Sequence, residues 1–211
     1  MYRAVLDTCV LVPSLQRDFL LQLAAEEAFA PLWGTGILTE LDYVLARLHE
    51  RRHVMDSDVR RRHLLDQMRR AFPGSEVNAP KDREYHYELS DPEDGHVAHA
   101  ALRGKADAIV TDDTRAGFTT ATVLTEANIE IVSPHEFAVH TISAHPEAGS
   151  KRCASCRSAT SIRSTPLTRS SICSSSGTPW PTPLTSSGRW RQSKARNRSR
   201  LLRPPDTIQR E

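Results

Sequence analysis

The sequence predicts an α/β protein in three layers, with a parallel sheet between two layers of helices. Two observations along residues 1–143 carry this expectation. Short apolar runs alternate with longer segments whose apolar residues recur at helical spacing, the order that yields parallel strands joined by helical crossovers. The short runs are also continuously apolar, as strands covered on both faces are.

Taken in order, "YRAVLD" is a buried strand ending at Asp7, and "SLQRDFLLQLAAEEA" follows as a helix with one apolar face. "FAPLWG" is the second strand, and "TGILTELDYVLARLHERR" the second helix, with Ile37, Leu38, Leu41, Val44, Leu45 and Leu48 at helical spacing. "DSDVRRRHLLDQMRRAF" is another amphipathic helix. A polar stretch leads to "SDPEDGHVAHAA", a helix opened by Asp91 as N-cap with Pro92 at its first position. "DAIVTDD" is a strand ending in acids, "NIEIVS" the last strand, and "PHEFAVHTIS" a closing helix that starts at Pro134. Ala98, Ala100 and Ala101 on the Asp91 helix are small, which lets it lie close against the sheet.

From residue 144 the chain changes character. Ser, Thr, Pro and Arg dominate with no sustained apolar period. Such a segment buries too little surface to offset its ordering entropy, so residues 144–211 are expected to form a disordered, low-complexity basic tail. From Pro146 onward there are 13 Lys and Arg against 3 Asp and Glu, a net +10, while the preceding residues carry −8. The tail composition also fits an RNA-binding arm, or a frameshift product of GC-rich coding. "CASC" at Cys153–Cys156 has the spacing of half a zinc site, but the second half is missing. Cys9 reads as packed in an apolar run. No segment approaches the ~18 apolar residues of a membrane span, and the N-terminus lacks a signal-peptide pattern. The expected location is the cytoplasm.

The acids are the feature that asks for chemistry. In open α/β sheets, ligands bind beyond the carboxyl ends of the strands. Asp7 ends the first strand, Asp112 and Asp113 end "AIVT", Asp91 and Asp94 open a helix at the same edge, and Glu40 lies in the first turns of the second helix. Asp7, Glu40, Asp94 and Asp113 can therefore meet in one pocket. Any one of them has a plainer role as a cap, a turn residue or a solvent-facing charge. Together, with no lysine expected beside them, they would repel and raise one another's pKa. A hard divalent cation relieves that, and all-oxygen ligands select Mg²⁺ or Mn²⁺ over zinc. His96 and His99, three apart, make a poor zinc motif. One is expected to pack and the other to face solvent.

Four motifs in this order, "VLDTCVLV", "ILTEL", "DPEDGHVAHAA" and "ADAIVTDD", resemble the PIN domain, the nuclease domain of VapC-type toxins, over about residues 1–143. The resemblance implies a metal-dependent endoribonuclease. Its acids fall on Asp7, Glu40, Asp94 and Asp113, with Asp112 the alternative to Asp113. Asp7 and Asp94 would be the chief metal ligands, with Glu40 and Asp113 completing the site. Asp91 would assist through a bound water, and Thr8 would orient a phosphate or a metal-bound water. A cognate antitoxin and a homodimer are usual for that family.

RNA also needs cations to hold its backbone. Arg51, Arg52, Arg60, Arg61 and Arg62 lie in an arginine-rich helical hairpin, which reads either as a phosphate-contact surface or as a solvated face of i,i+4 pairs. Two other enzyme classes fit less well. A haloacid-dehalogenase-type phosphatase needs a second Asp where Cys9 stands, and a response-regulator receiver needs an acidic pair and a lysine that are not in place. A PIN-like module that binds RNA or a partner without cutting is the remaining alternative.

Overall fold

The computed structural model describes residues 1–147. Expectations for the rest of the tail, including the cysteine pair at Cys153 and Cys156, lie outside the described residues. The chain runs β1 (Arg3–Leu6), α1 (Thr8–Leu11), α2 (Ser14–Ala25), β2 (Ala30–Gly34), α3 (Thr35–Arg51), α4 (Ser57–Ala71) and β3 (Glu76–Val77). A 3-10 turn, Pro92–Asp94, then leads into α5 (Gly95–Gly104), followed by β4 (Ala108–Val110), α6 (Thr122–Glu126), β5 (Glu130–Val132) and α7 (Pro134–Ala144).

The five strands form one parallel sheet in the order β3-β2-β1-β4-β5, with helices on both sides. β1 is central and pairs Val5 with Leu32 of β2 on one side and with Ile109 of β4 on the other. Val5, Leu6, Ile109 and Val110 have no exposed surface, as continuous apolar runs demand when both faces are covered. From β1 the chain moves outward one way through β2 and β3. It then crosses back to β4 and continues the other way to β5. The order therefore reverses between β1 and β4, and a crevice opens beyond their carboxyl ends.

The longer helices form where their patterns predict. Ile37, Leu38, Leu41 and Leu45 of α3 are buried, on the face the spacing marks. Asp91 accepts a hydrogen bond from the Glu93 amide at 3.0 Å, and Pro92 occupies the first turn. Ala98, Ala100 and Ala101 are fully buried, and Ala100 comes so near β2 that a Cβ on Gly34 would lie 3.2 Å from its own. α7 opens with a capping box between Ser133 and Glu136. Three short elements fall outside the sequence pattern: α1, which follows β1 directly after Asp7, the two-residue edge strand β3 within the polar stretch, and α6.

Candidate active site at the sheet switch point

Asp7 is carried to the crevice by the ladder itself. Its amide donates to Val110 O of β4 at 3.1 Å, and its side chain caps α1 by accepting from the Thr8 amide at 2.6 Å. The other carboxylate oxygen accepts from Thr111 Oγ1 at 2.7 Å and from Cys9 Sγ at 3.2 Å. Burial pushes the Asp7 carboxyl upward and Glu40 adds to the rise, against the hydrogen bonds from Thr111, Cys9 and Thr8. Cys9, expected only to pack, is thus a polar neighbour of the acid. Its thiol also meets Thr111 Oγ1 and the Asp112 amide, and burial holds its pKa well above the ordinary thiol value.

Glu40, on the second turn of α3, is joined to Asp7 through Thr8. Thr8 Oγ1 donates to Glu40 Oε2 at 3.1 Å, so the amide and hydroxyl of one residue serve two acids. Asp7, Glu40 and Asp94 are 8%, 8% and 6% exposed, unusual burial for carboxylates. Asp94 stands at the N-terminus of α5 without capping it; Asp91 has the capping task in the preceding turn. Asp113 is half-buried, with its amide on Thr111 Oγ1 and its carboxylate accepting from the Arg115 amide. Asp112 is more exposed, and partial burial of its carboxyl raises it.

The expectation that no lysine stands beside the acids is wrong. Lys81 Nζ lies 2.7 Å from Glu40 Oε1. Its loop is pinned to the start of α3 by two hydrogen bonds, Gly36 amide to Ala79 O at 2.9 Å and Ala79 amide to Thr35 Oγ1 at 3.1 Å. A Cβ on Gly36 would come within 2.8 Å of Ala79 O and 2.9 Å of the Lys81 amide, so only glycine permits the approach. His96 packs as expected. Its Nδ1 donates to Glu93 O at 2.9 Å, and its Nε2 lies 3.7 Å from Glu40. His99 does not face solvent freely; it is half-buried against two tyrosines.

Among the described residues, no three His, Cys, Asp or Glu side chains gather closely enough to hold a metal ion. The donor chemistry nevertheless fits a hard divalent cation. Asp7 and Glu40 are oxygen ligands, both buried, and their mutual repulsion is the kind of strain a dication relieves.

The arginines lie elsewhere. A helix rises about 1.5 Å per residue, so Arg51 is roughly 16 Å along α3 from Glu40. Arg61 is tied to Asp42 and Asp58, while Arg51, Arg52, Arg60 and Arg62 are exposed.

The profile of the PIN domain matches residues 3–115, more than half of the chain. The protein belongs to the PIN domain family. PIN domains are generally nucleases and typically bind divalent metals; in this PIN domain Asp7 and Asp113 follow the carboxyl ends of β1 and β4. No curated protein matches the chain. No described helix is long and apolar enough to cross a membrane.

Proposed function

We propose that this PIN domain is a metal-dependent endoribonuclease and the toxin of a toxin–antitoxin pair acting in the cytoplasm. The observation that carries the reading is the linked burial of Asp7 and Glu40 at the switch point of the sheet. Asp7, Glu40, Asp94 and Asp113 would hold Mg²⁺ or Mn²⁺, with Asp91 and Asp112 at the margin. A divalent cation bound there supplies an activated water and neutralises charge developing on the phosphate. Thr111 and Thr8 hold Asp7 in one orientation, so its carboxylate is pre-positioned before any ion arrives. Thr8 does the same for Glu40. The low exposure of the three acids keeps bulk water from competing at their oxygens. Exposed Arg51, Arg52, Arg60 and Arg62, with Arg61 behind them, would meet phosphates several nucleotides from the cut.

An apolar cleft of about 670 Å³ between Val12–Leu15 and the α3–α4 hairpin, rimmed by Arg52 and Arg60, suits an amphipathic acidic segment. That supports an antitoxin as partner, and pairing with a second copy accords with the same family habit. A gene just upstream for a small DNA-binding protein would favour this role.

The test is a labelled RNA incubated with a titration of Mg²⁺ or Mn²⁺, comparing wild type with Asp7→Asn. Cleavage that requires the ion and vanishes in the variant is expected. Cleavage that survives in Asp7→Asn overturns the assignment. The salt bridge between Lys81 and Glu40 favours a second reading, a PIN-like module that binds RNA or a partner without cutting; binding with no cleavage at any metal concentration would select it.

A further inference from the structure

The irregular loop between β3 and the 3-10 turn carries Arg83, Tyr85 and Tyr87, whose side chains come together. The Tyr85 and Tyr87 rings are nearly parallel, 13° apart with centroids at 6.1 Å. His99 of α5 adds a third ring, tilted 36° to Tyr85 at 4.7 Å and 29° to Tyr87 at 6.1 Å.

Both tyrosine hydroxyls are anchored, Tyr85 to Pro80 O at 2.9 Å and Tyr87 to His99 Nδ1 at 2.7 Å. The outer guanidinium of Arg83 lies 5.9 Å from the Tyr85 centroid. A second arginine, Arg103, is near enough to join Arg83 in lowering the His99 pKa, although burial is the larger cause.

A plain packing role explains Tyr87, which rests on the hydrophobic core, but not Tyr85, which does not. Tyr85 instead abuts the start of α5. A Cβ on Gly95 would come within 2.6 Å of the Tyr85 Cβ, and Gly95 directly follows Asp94. Tyr85 therefore lies beside the residue that follows Asp94, half-exposed, with its ring already ordered. Preordered π faces flanked by arginines are how proteins hold unpaired bases. Bases in a duplex are already stacked on one another and cannot use such a face.

We propose that Tyr85, backed by His99 and Tyr87, is a stacking subsite for an unpaired base of the RNA next to the bond to be cut, with Arg83 on the adjoining phosphate. The inference rests on the ribonuclease reading for the word "cut" but not for the stacking itself.

The full chain in EDTA, where nothing is cleaved, is titrated into a fluorescein-labelled single-stranded oligoadenylate RNA, its duplex with oligouridylate, and an abasic oligomer of equal length. Fluorescence anisotropy reports binding. Any contact of the basic tail with phosphates is common to single strand and abasic oligomer, so the ratio between them isolates base recognition. Wild type should prefer the single strand to the abasic oligomer by about tenfold. Tyr85→Leu should erase that preference while leaving abasic binding unchanged, and Tyr85→Phe should restore it. Equal binding of single strand and abasic oligomer by wild type overturns the proposal, as does an undiminished preference in Tyr85→Leu. Should Tyr85→Leu fail to fold, the wild-type comparison alone decides. Base preference without cleavage in Mn²⁺ would sink the ribonuclease reading and leave the stacking site standing; cleavage without base preference would do the reverse.

Discussion

Two acids of α3, Glu40 and Asp42, hold charge in different ways. Glu40 is buried with Asp7, like beside like, with Lys81 on its other oxygen, and the Asp7 carboxyl is pushed up by burial and by Glu40. Two residues along α3, Asp42 joins Asp58 of α4 in holding Arg61 between them, while Arg51, Arg52, Arg60 and Arg62 of the hairpin are exposed. Complementary charges at a surface cost little and contribute little, about 0–1 kcal/mol per pair. Like charges under the surface cost stability, and the fold bears that cost at the switch point where α/β sheets bind ligands. The contrast teaches that charge density alone does not mark a site. Burial against the electrostatic gradient does.

Substitutions can break this comparison at several levels. The largest expected effect is on activity: Asp94→Asn should lower RNA cleavage by at least about a hundredfold and leave the far-ultraviolet circular dichroism unchanged. Loss of fold with unchanged activity per folded molecule would return Asp94 to a structural role.

Gly36→Ala should come next, costing about 1–3 kcal/mol by overpacking, because the added Cβ meets the backbone of Ala79 and Lys81 and the His96 ring. Urea unfolding measures it.

Asp7→Asn sharpens the electrostatic half of the contrast. The folded carboxyl is raised above its unfolded value. Its contribution is therefore fully present below the unfolded pKa and lost as pH rises through the folded one. In EDTA the Asn variant should gain on wild type as pH rises above the unfolded carboxyl range. A stability difference that does not change with pH would contradict the burial argument.

Smallest of all, Arg62→Ala on the hairpin should shift stability by no more than about 0.5 kcal/mol, within the error of most denaturation curves.

Much of the fold was legible because its period is. β1 and β4 are short apolar runs that stop at the crevice, and α3 shows its buried stripe in Ile37, Leu38, Leu41 and Leu45. The four-residue α1 was not legible. Thr8–Leu11 resumes an apolar run directly after Asp7, and four residues are too few for a helical period. The strand β3 is two residues, one of them Glu76, within a polar stretch.

Topology brought Asp7 and Glu40 to the same edge by argument alone, since both follow central strands. Lys81 escaped because nothing local signals it. Its approach to Glu40 depends on where a long irregular loop is pinned, and the signals for that are the Thr35 hydroxyl and the absent side chain of Gly36, 44 and 43 residues before Ala79. Thr111 and Cys9 escaped for a different reason. Thr111 reaches Asp7 across two strands, which only the register of β1 against β4 reveals, and Cys9 reaches it through the turn of α1.

The ammonium group at Glu40 is tethered. Unlike a dissolved ion it cannot be chelated, diluted or outrun by synthesis, so the first turns of α3 acquire their opposite charge from the same chain that makes them.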